Sequence, residues 1–94
     1  MRYAWDEAKN RINITKHGLD FADAARILTE RCVTFVDDRF DYGEERLISL
    51  GMLDGRVVVI AHAPRGPEVT RIISMRKANR REQKTYRQKR LGPA

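Results

Sequence analysis

The chain has 94 residues, 41% of them hydrophobic, and a net charge of +6, which is typical of one domain with one modest core. It has no apolar run that could span a membrane and no apolar stretch at its start that is typical of a signal peptide, so we expect one domain over 1–94 in the cytoplasm. Its single cysteine, Cys32, excludes an internal disulfide, and one cysteine with two histidines argues against a closed zinc site.

The first third of the chain predicts a short strand followed by two helices. Residues 2–5 fit a short extended segment, after which Asp6 and Gly18 are typical start and stop signals for a helix of about three turns. One face of this helix carries Ala8, Ile12 and Thr15. Asp20 precedes a second helix over 21–31, whose expected buried stripe is Phe21, Ala24, Ala25 and Leu28. Together they predict a helical hairpin.

The middle of the chain is rich in β-branched and apolar residues, and two of its segments alternate with the two-residue period of a β-strand. The expected strands are 32–36, 46–53, 56–63 and 68–76. Asp54 and Gly55 predict a two-residue hairpin turn between the second and third of them. Because 56–63 is apolar without alternation, it is predicted to be a central strand that is buried on both faces.

The last segment, 77–90, is predicted to form a helix that carries the charge imbalance of the chain. Residues 76–90 hold eight basic side chains and one acidic one, Glu82, whereas residues 1–75 hold 11 basic and 12 acidic ones. This asymmetry indicates a polyanion or an acidic partner, although a solvated charged face would give the same composition. The only apolar residues of the helix, Ala78 and Tyr86, share one stripe with Glu82.

The element order β–α–α–β–β–β–β–α predicts a small α+β domain. An antiparallel sheet would carry the helical hairpin on one face and leave the other face for the terminal helix, a ligand or a partner.

The side chains favour a chemistry that needs cations and one proton-transfer group. The acidic pairs at 37–38 and 44–45 lie in a polar connection, and there is no glycine-rich phosphate loop and no GxSxG motif. Cleavage of RNA through its own 2′-hydroxyl fits, because the substrate supplies the nucleophile and Arg or Lys can stabilise the pentavalent transition state without a metal.

Several candidate residues have a structural alternative. His17 could cap the helix dipole or take part in catalysis. Glu82 could be a general base or only an ion-pair partner within the helix. Tyr86 could stack on a base, but we favour an anchor between helix and sheet. We expect Arg71 to have an ion-pair partner, and His62, at a strand end, to be structural.

Three segments resemble the BrnT toxins, the ribonuclease partners of BrnT/BrnA type II toxin–antitoxin systems. "WDEAKNRINITKHGLDF" has the form W-D-x-x-K-x-x-x-N-x-x-K-H-G-x-x-F. "EERLISLG" fits the E-R-x-x-x-x-G segment. "RIISMRKANRREQKTY" fits R-I-I-S-A-R-x-A-x-x-x-E-x-x-x-Y except at Met75, where the family has a small Ala. The match covers the chain up to Arg87.

The resemblance implies a RelE-like fold, metal-independent RNA cleavage that arrests translation and growth, and no cofactor. It also implies a BrnA-like antitoxin, in a heterotetramer around an antitoxin dimer. With the basic helix, it points to catalytic roles for His17, Arg76, Arg80 and Glu82. The expected RNA-binding residues are Lys9, Lys16, Arg46, Arg81, Lys84 and Tyr86.

Two other functions are compatible with the charge asymmetry alone. One is a basic nucleic-acid-binding module without enzymatic activity. The other is an adaptor whose basic helix docks an acidic protein.

Overall fold

The computed structural model describes residues 2–39 and 41–91, which follow the predicted element order. The strands are β1 Arg2–Ala4, β2 Val33–Val36, β3 Leu47–Leu53, β4 Arg56–Arg65 and β5 Val69–Lys77. The helices are α1 Glu7–His17, α2 Ala24–Ile27 and α3 Arg80–Leu91, with a 3₁₀ turn at Phe21–Asp23. No described helix is long and apolar enough to cross a membrane.

The strands form one sheet in the order β1-β5-β4-β3-β2, which places β4 in the centre as predicted. Strands β2 to β5 pair antiparallel, but β1 pairs parallel to β5, with Arg2 beside Val69. The sheet is therefore mixed rather than wholly antiparallel. A parallel pair needs a long crossover connection, and the whole chain between β1 and β5 provides one.

The two faces of the sheet have separate apolar cores. On the hairpin face, the side chains of β4 and β5 pack against Phe21, Ala24 and Ile27. On the opposite face, which we call the α3 face, Ala78 and Tyr86 pack on Leu50, Val57 and Val59. The terminal helix thus covers part of the face that the sequence left open, and Tyr86 is the anchor that we favoured.

Helix α1 packs through asparagines rather than through apolar side chains. Ile12 is 65% exposed, whereas Asn10 and Asn13 are buried. Asn10 donates from Nδ2 to Asp20 Oδ1 at 3.0 Å, and its Oδ1 accepts the backbone N–H of Phe21 at 2.8 Å. Because a buried amide costs free energy unless it is hydrogen-bonded, these paired bonds fix the angle between α1 and the following turn.

Asn13 joins the same helix to the sheet. Its Nδ2 donates to the carbonyl oxygen of Leu19 at 3.0 Å, and its Oδ1 accepts the backbone N–H of Met75 at 3.2 Å. Met75 lies on β5 beyond the end of β1, where the strand edge has lost its neighbour. The amide of Asn13 therefore satisfies an edge group that would otherwise need water.

The second helix is much shorter than the predicted 21–31. It ends at Ile27, because the ψ of 66° at Leu28 leaves the helical region, and the chain then turns through Thr29 into β2. The short helix buries Ile27, while Ala25 of the predicted stripe is exposed. Close packing of α2 on β3 is possible because Gly51 has no side chain. A Cβ there would lie 2.6 Å from Ile27 Cγ2 and 2.8 Å from the Ile27 carbonyl oxygen.

Gly51→Ala should therefore destabilise the fold, by about 1–3 kcal/mol, because α2 has to move off the sheet. Urea denaturation followed by circular dichroism measures the free energy of unfolding. An unchanged midpoint and slope would show that α2 shifts without cost.

A β-bulge in β5 changes which of its side chains share a face. Ser74 pairs with Ala61 and Ile72 pairs with His62, so Ile73 is an extra residue on β5. As a result Ile72 and Met75 both join the core on the hairpin face, contrary to simple alternation. Ser74 and Arg76 are then on the α3 face, opposite Ala61 and Val59.

Candidate active site

Helix α3 begins with reciprocal hydrogen bonds between Asn79 and Glu82. The Glu82 backbone N–H donates to Asn79 Oδ1 at 2.8 Å, and the Asn79 backbone N–H donates to Glu82 Oε1 at 2.9 Å. This is a capping box with Asn at the N-cap. The same carboxylate accepts two bonds from the Arg76 guanidinium, at 2.8 and 2.7 Å. Arg76 is therefore held rigidly at the junction of β5 and α3.

This arrangement sets the charge of Glu82. The bonds from Arg76 lower the pKa of Glu82 below its ordinary value of 4.5, against an opposing effect of burial, and the Asn79 N–H lowers it further. A carboxylate with a lowered pKa is a weaker general base. The geometry thus favours a positioning role for Glu82, while the Arg76 side chain remains 42% exposed and available to an anion.

A second arginine, Arg39, approaches this pair from the connection between β2 and β3. It makes two bonds to buried Asp37, from Nε to Oδ1 at 2.9 Å and from Nη2 to Oδ2 at 3.0 Å. These bonds lower the pKa of Asp37 to about 2. The charge of Arg39 also lowers the pKa values of Arg76 and Glu82. The charge of Arg39 therefore acts on the Arg76–Glu82 pair from the connection that follows β2.

Between α3 and this connection, part of the α3 face is only half-buried or exposed. It consists of one row of cross-strand neighbours, Phe35, Ile48, Ala61 and Ser74, which we call the open strip. The adjoining row ends in Arg76 and lies under α3. The open strip is therefore an apolar floor with arginines at its borders.

The far border of the open strip is a cluster around Glu44. Arg71 forms an ion pair with Glu44, as expected, and Arg46 Nε lies 3.6 Å from the same carboxylate. The Arg46 guanidinium also stacks over the Tyr42 ring, 4.0 Å from its centre. The predicted RNA-binding residue Arg46 is thus held in place, and the cluster keeps one net positive charge.

His17, Lys9 and Lys16 lie together elsewhere, around a pocket of about 240 Å³ beside the free edge of β5. Ser74 also lines this pocket, and Arg76 is two residues further along the strand. Among the described residues, no hydrogen bond or ion pair joins His17 to Arg76 or Glu82.

The remaining candidates divide into exposed and buried side chains. Arg80, Arg81 and Lys84 are exposed on α3. Tyr86 is only 7% exposed, so its ring is not available to stack on a base, and we withdraw it from the RNA-binding set.

His62 and Cys32, the two other residues with reactive side chains, lie outside this site. His62 is buried, its Nε2 lies 2.8 Å from Ser49 Oγ, and burial lowers its pKa. Cys32 is half-buried, 3.6 Å from Thr34 Oγ1. In the part of the chain that the structure describes, no three His, Cys, Asp or Glu side chains lie together as they would around a metal ion.

Sequence reasoning missed two residues of this site. Arg39 was hidden in a polar connection without periodicity, and no local signal indicates that its charge acts on Arg76. Phe35 was assigned only to a strand. The available signal was its place on a short strand at the edge of the sheet. An edge strand has a partner strand on only one side, so its residues are more exposed than those of a central strand.

Comparisons with known proteins agree with the resemblance seen in the motifs. Residues 5–82 match the family model "Ribonuclease toxin, BrnT, of type II toxin-antitoxin system". The chain is similar to the 1.1 Å crystal structure of the Brucella abortus ribonuclease toxin BrnT, with 35% sequence identity, a TM-score of 0.64, and coverage of 85% of this chain and 99% of that one. A search of curated proteins gave no significant match. The segment 5–82 includes His17, Arg76 and Glu82.

Proposed function

Because the chain belongs to the BrnT family of ribonuclease toxins of type II toxin–antitoxin systems, we propose that it is an endoribonuclease that cleaves RNA without a metal ion. The observation that carries this proposal is the fixed guanidinium of Arg76. Glu82 and the capping box hold it at the edge of the open strip, and the charge of Arg39 acts on it. A fixed guanidinium can stabilise the charge of a phosphorane, and it does so without reorganising during the reaction.

In the proposed reaction the substrate provides the nucleophile. The 2′-oxygen forms a bond to the phosphorus, the bond from phosphorus to the 5′-oxygen breaks, and a 2′,3′-cyclic phosphate and a 5′-hydroxyl result. A base takes the proton of the 2′-hydroxyl, and an acid gives one to the 5′-oxygen. Arg76 and Arg80 would neutralise the charge on the non-bridging oxygens.

We assign proton transfer to His17 rather than to Glu82. The carboxylate of Glu82 is committed to Arg76 and Asn79, whereas the imidazole of His17 lines the pocket that Ser74 shares. Ser74 and Arg76 are about 7 Å apart along β5, since alternate residues of a strand are separated by two rises of about 3.3 Å. A phosphate bound by Arg76 would therefore lie near the mouth of this pocket.

The remaining cations would guide the RNA backbone. Lys9 and Lys16 border the His17 pocket, Arg46 borders the open strip, and Arg81 and Lys84 are exposed on α3. Contacts of this kind are sensitive to salt. Each phosphate of a single strand that is contacted changes the slope of log binding constant against log salt concentration by about −0.7.

As a family member the protein is expected to work with an antitoxin, and we propose a BrnA-like one in a heterotetramer around an antitoxin dimer. The net charge of +6 and the exposed cations of α3 support an acidic binding surface on that partner. Free of it, the toxin would cleave RNA in the cytoplasm and inhibit translation and growth.

The test is an RNA cleavage assay with purified protein in excess EDTA, followed by analysis of the product ends. We expect undiminished cleavage with 2′,3′-cyclic phosphate or 3′-phosphate ends, because the described cations need no metal to stabilise the phosphorane. Loss of cleavage in EDTA with recovery on adding Mg²⁺ would refute metal independence. RNA that is bound but never cut, even with ribosomes present, would favour the non-enzymatic binding module.

A further inference from the structure

Phe35 is the most exposed aromatic side chain among residues 2–39 and 41–91. It leaves 37% of its surface accessible, whereas the other aromatic side chains of these ranges are buried or half-buried. It lies on β2, the edge strand of the sheet, and faces the same side as Val33, which packs against the core under α3. The ring therefore lies on the α3 face and remains partly exposed beside the core under α3.

The surroundings of Phe35 combine an apolar floor with positive borders. Its cross-strand neighbour is half-buried Ile48, followed by Ala61 and Ser74. The open strip therefore contains no charged side chain. The connection that follows β2 carries Arg39, which is bonded to Asp37 and whose charge acts on Arg76. Three strand spacings of about 4.8 Å place Phe35 about 14 Å from Ser74 at the other end of the row.

We propose that Phe35 is a nucleobase subsite, on which one base of a single-stranded RNA stacks while its backbone follows Arg39 toward Arg76. This inference rests on the proposed function and adds the class of substrate that the site accepts. An aromatic platform beside a cationic track is the combination that holds single strands, because every base has a π-face and every phosphate a charge. A duplex would be a poor substrate, since its bases are stacked inside the helix.

Binding can be separated from cleavage with a 2′-O-methyl RNA oligonucleotide, which lacks the attacking hydroxyl, carrying the fluorescent base 2-aminopurine at successive positions. Wild-type protein should quench the fluorescence at one or two of these positions. Phe35→Leu keeps the apolar volume but removes the ring, so it should lose the quenching and bind about 5- to 150-fold more weakly. Phe35→Tyr should restore both, because it restores the ring.

Val36→Ala is the matched control, because Val36 is the exposed neighbour on β2 whose side chain points to the opposite face. Its affinity should equal that of the wild type, and circular dichroism should show that all variants are folded. If Phe35→Leu binds and quenches like the wild type, or if the wild type binds no oligonucleotide at low salt, the subsite does not exist. If the wild type binds and quenches but cleaves no RNA, the subsite stands and the proposed function fails.

Discussion

Arg76→Ala should lower the rate constant of RNA cleavage by about 10²–10³-fold, the usual loss when one fixed donor to a transition-state oxyanion is removed. The structure makes this effect large because Glu82 and Asn79 preorganise the guanidinium before substrate binds. Arg76→Lys should recover little, since an ammonium cannot make the two parallel bonds to Glu82. Single-turnover cleavage with excess enzyme measures the chemical step.

Two further variants make this result interpretable. Arg65→Ala removes one exposed positive charge at the end of β4, away from the site, and should cleave like the wild type. Glu82→Gln keeps the capping box, because Gln also serves at that position, but removes the carboxylate charge. If Glu82 only positions Arg76, Glu82→Gln should lose less than about 10-fold. A loss of 10²–10⁴-fold would instead identify Glu82 as the general base.

The fold was largely predictable because its signals are local. The Gly18 stop, the Asp54–Gly55 turn and the unbroken apolar run of β4 each act within a few residues. The parallel pairing of β1 was not predictable, since it depends on which distant edge a three-residue strand meets. The packing of α1 was missed for another reason: hydrophobic patterns treat asparagine as a surface residue, whereas Asn10 and Asn13 are buried through their hydrogen bonds.

Only the part of the candidate site that is contiguous in sequence was predictable. Arg76, Arg80 and Glu82 fall within seven residues, and "NRRE" at 79–82 already has the spacing of a capping box. The contribution of Arg39 could not be predicted without the order of the strands in the sheet, because its charge acts on Arg76 across two intervening strands. The proximity of the His17 pocket to β5, the strand that carries Arg76, is likewise a tertiary feature. It depends on the hydrogen bond between Asn13 and Met75, which places α1 along the edge of β5.

His17→Ala should lower the rate constant of cleavage by about 10²–10⁴-fold if the imidazole transfers a proton in the reaction. The structural loss should be small, since His17 is half-buried and the interaction of a side chain with the dipole at a helix C-terminus is worth at most about 2 kcal/mol. Lys16→Ala is the matched control on the same turn of α1. We expect it to raise KM without changing kcat, because Lys16 would contact phosphate and take no part in proton transfer.

The direction of the proton transfer can be read from the leaving group. In an RNA whose bridging 5′-oxygen at the cleavage site is replaced by sulfur, departure of the thiolate needs no acid. If His17 is the acid, His17→Ala should cleave this substrate at nearly the wild-type rate, and if His17 is the base the defect should persist. Full activity of His17→Ala on ordinary RNA would mean that the imidazole only caps α1, and the pocket beside Ser74 would then have no part in the chemistry.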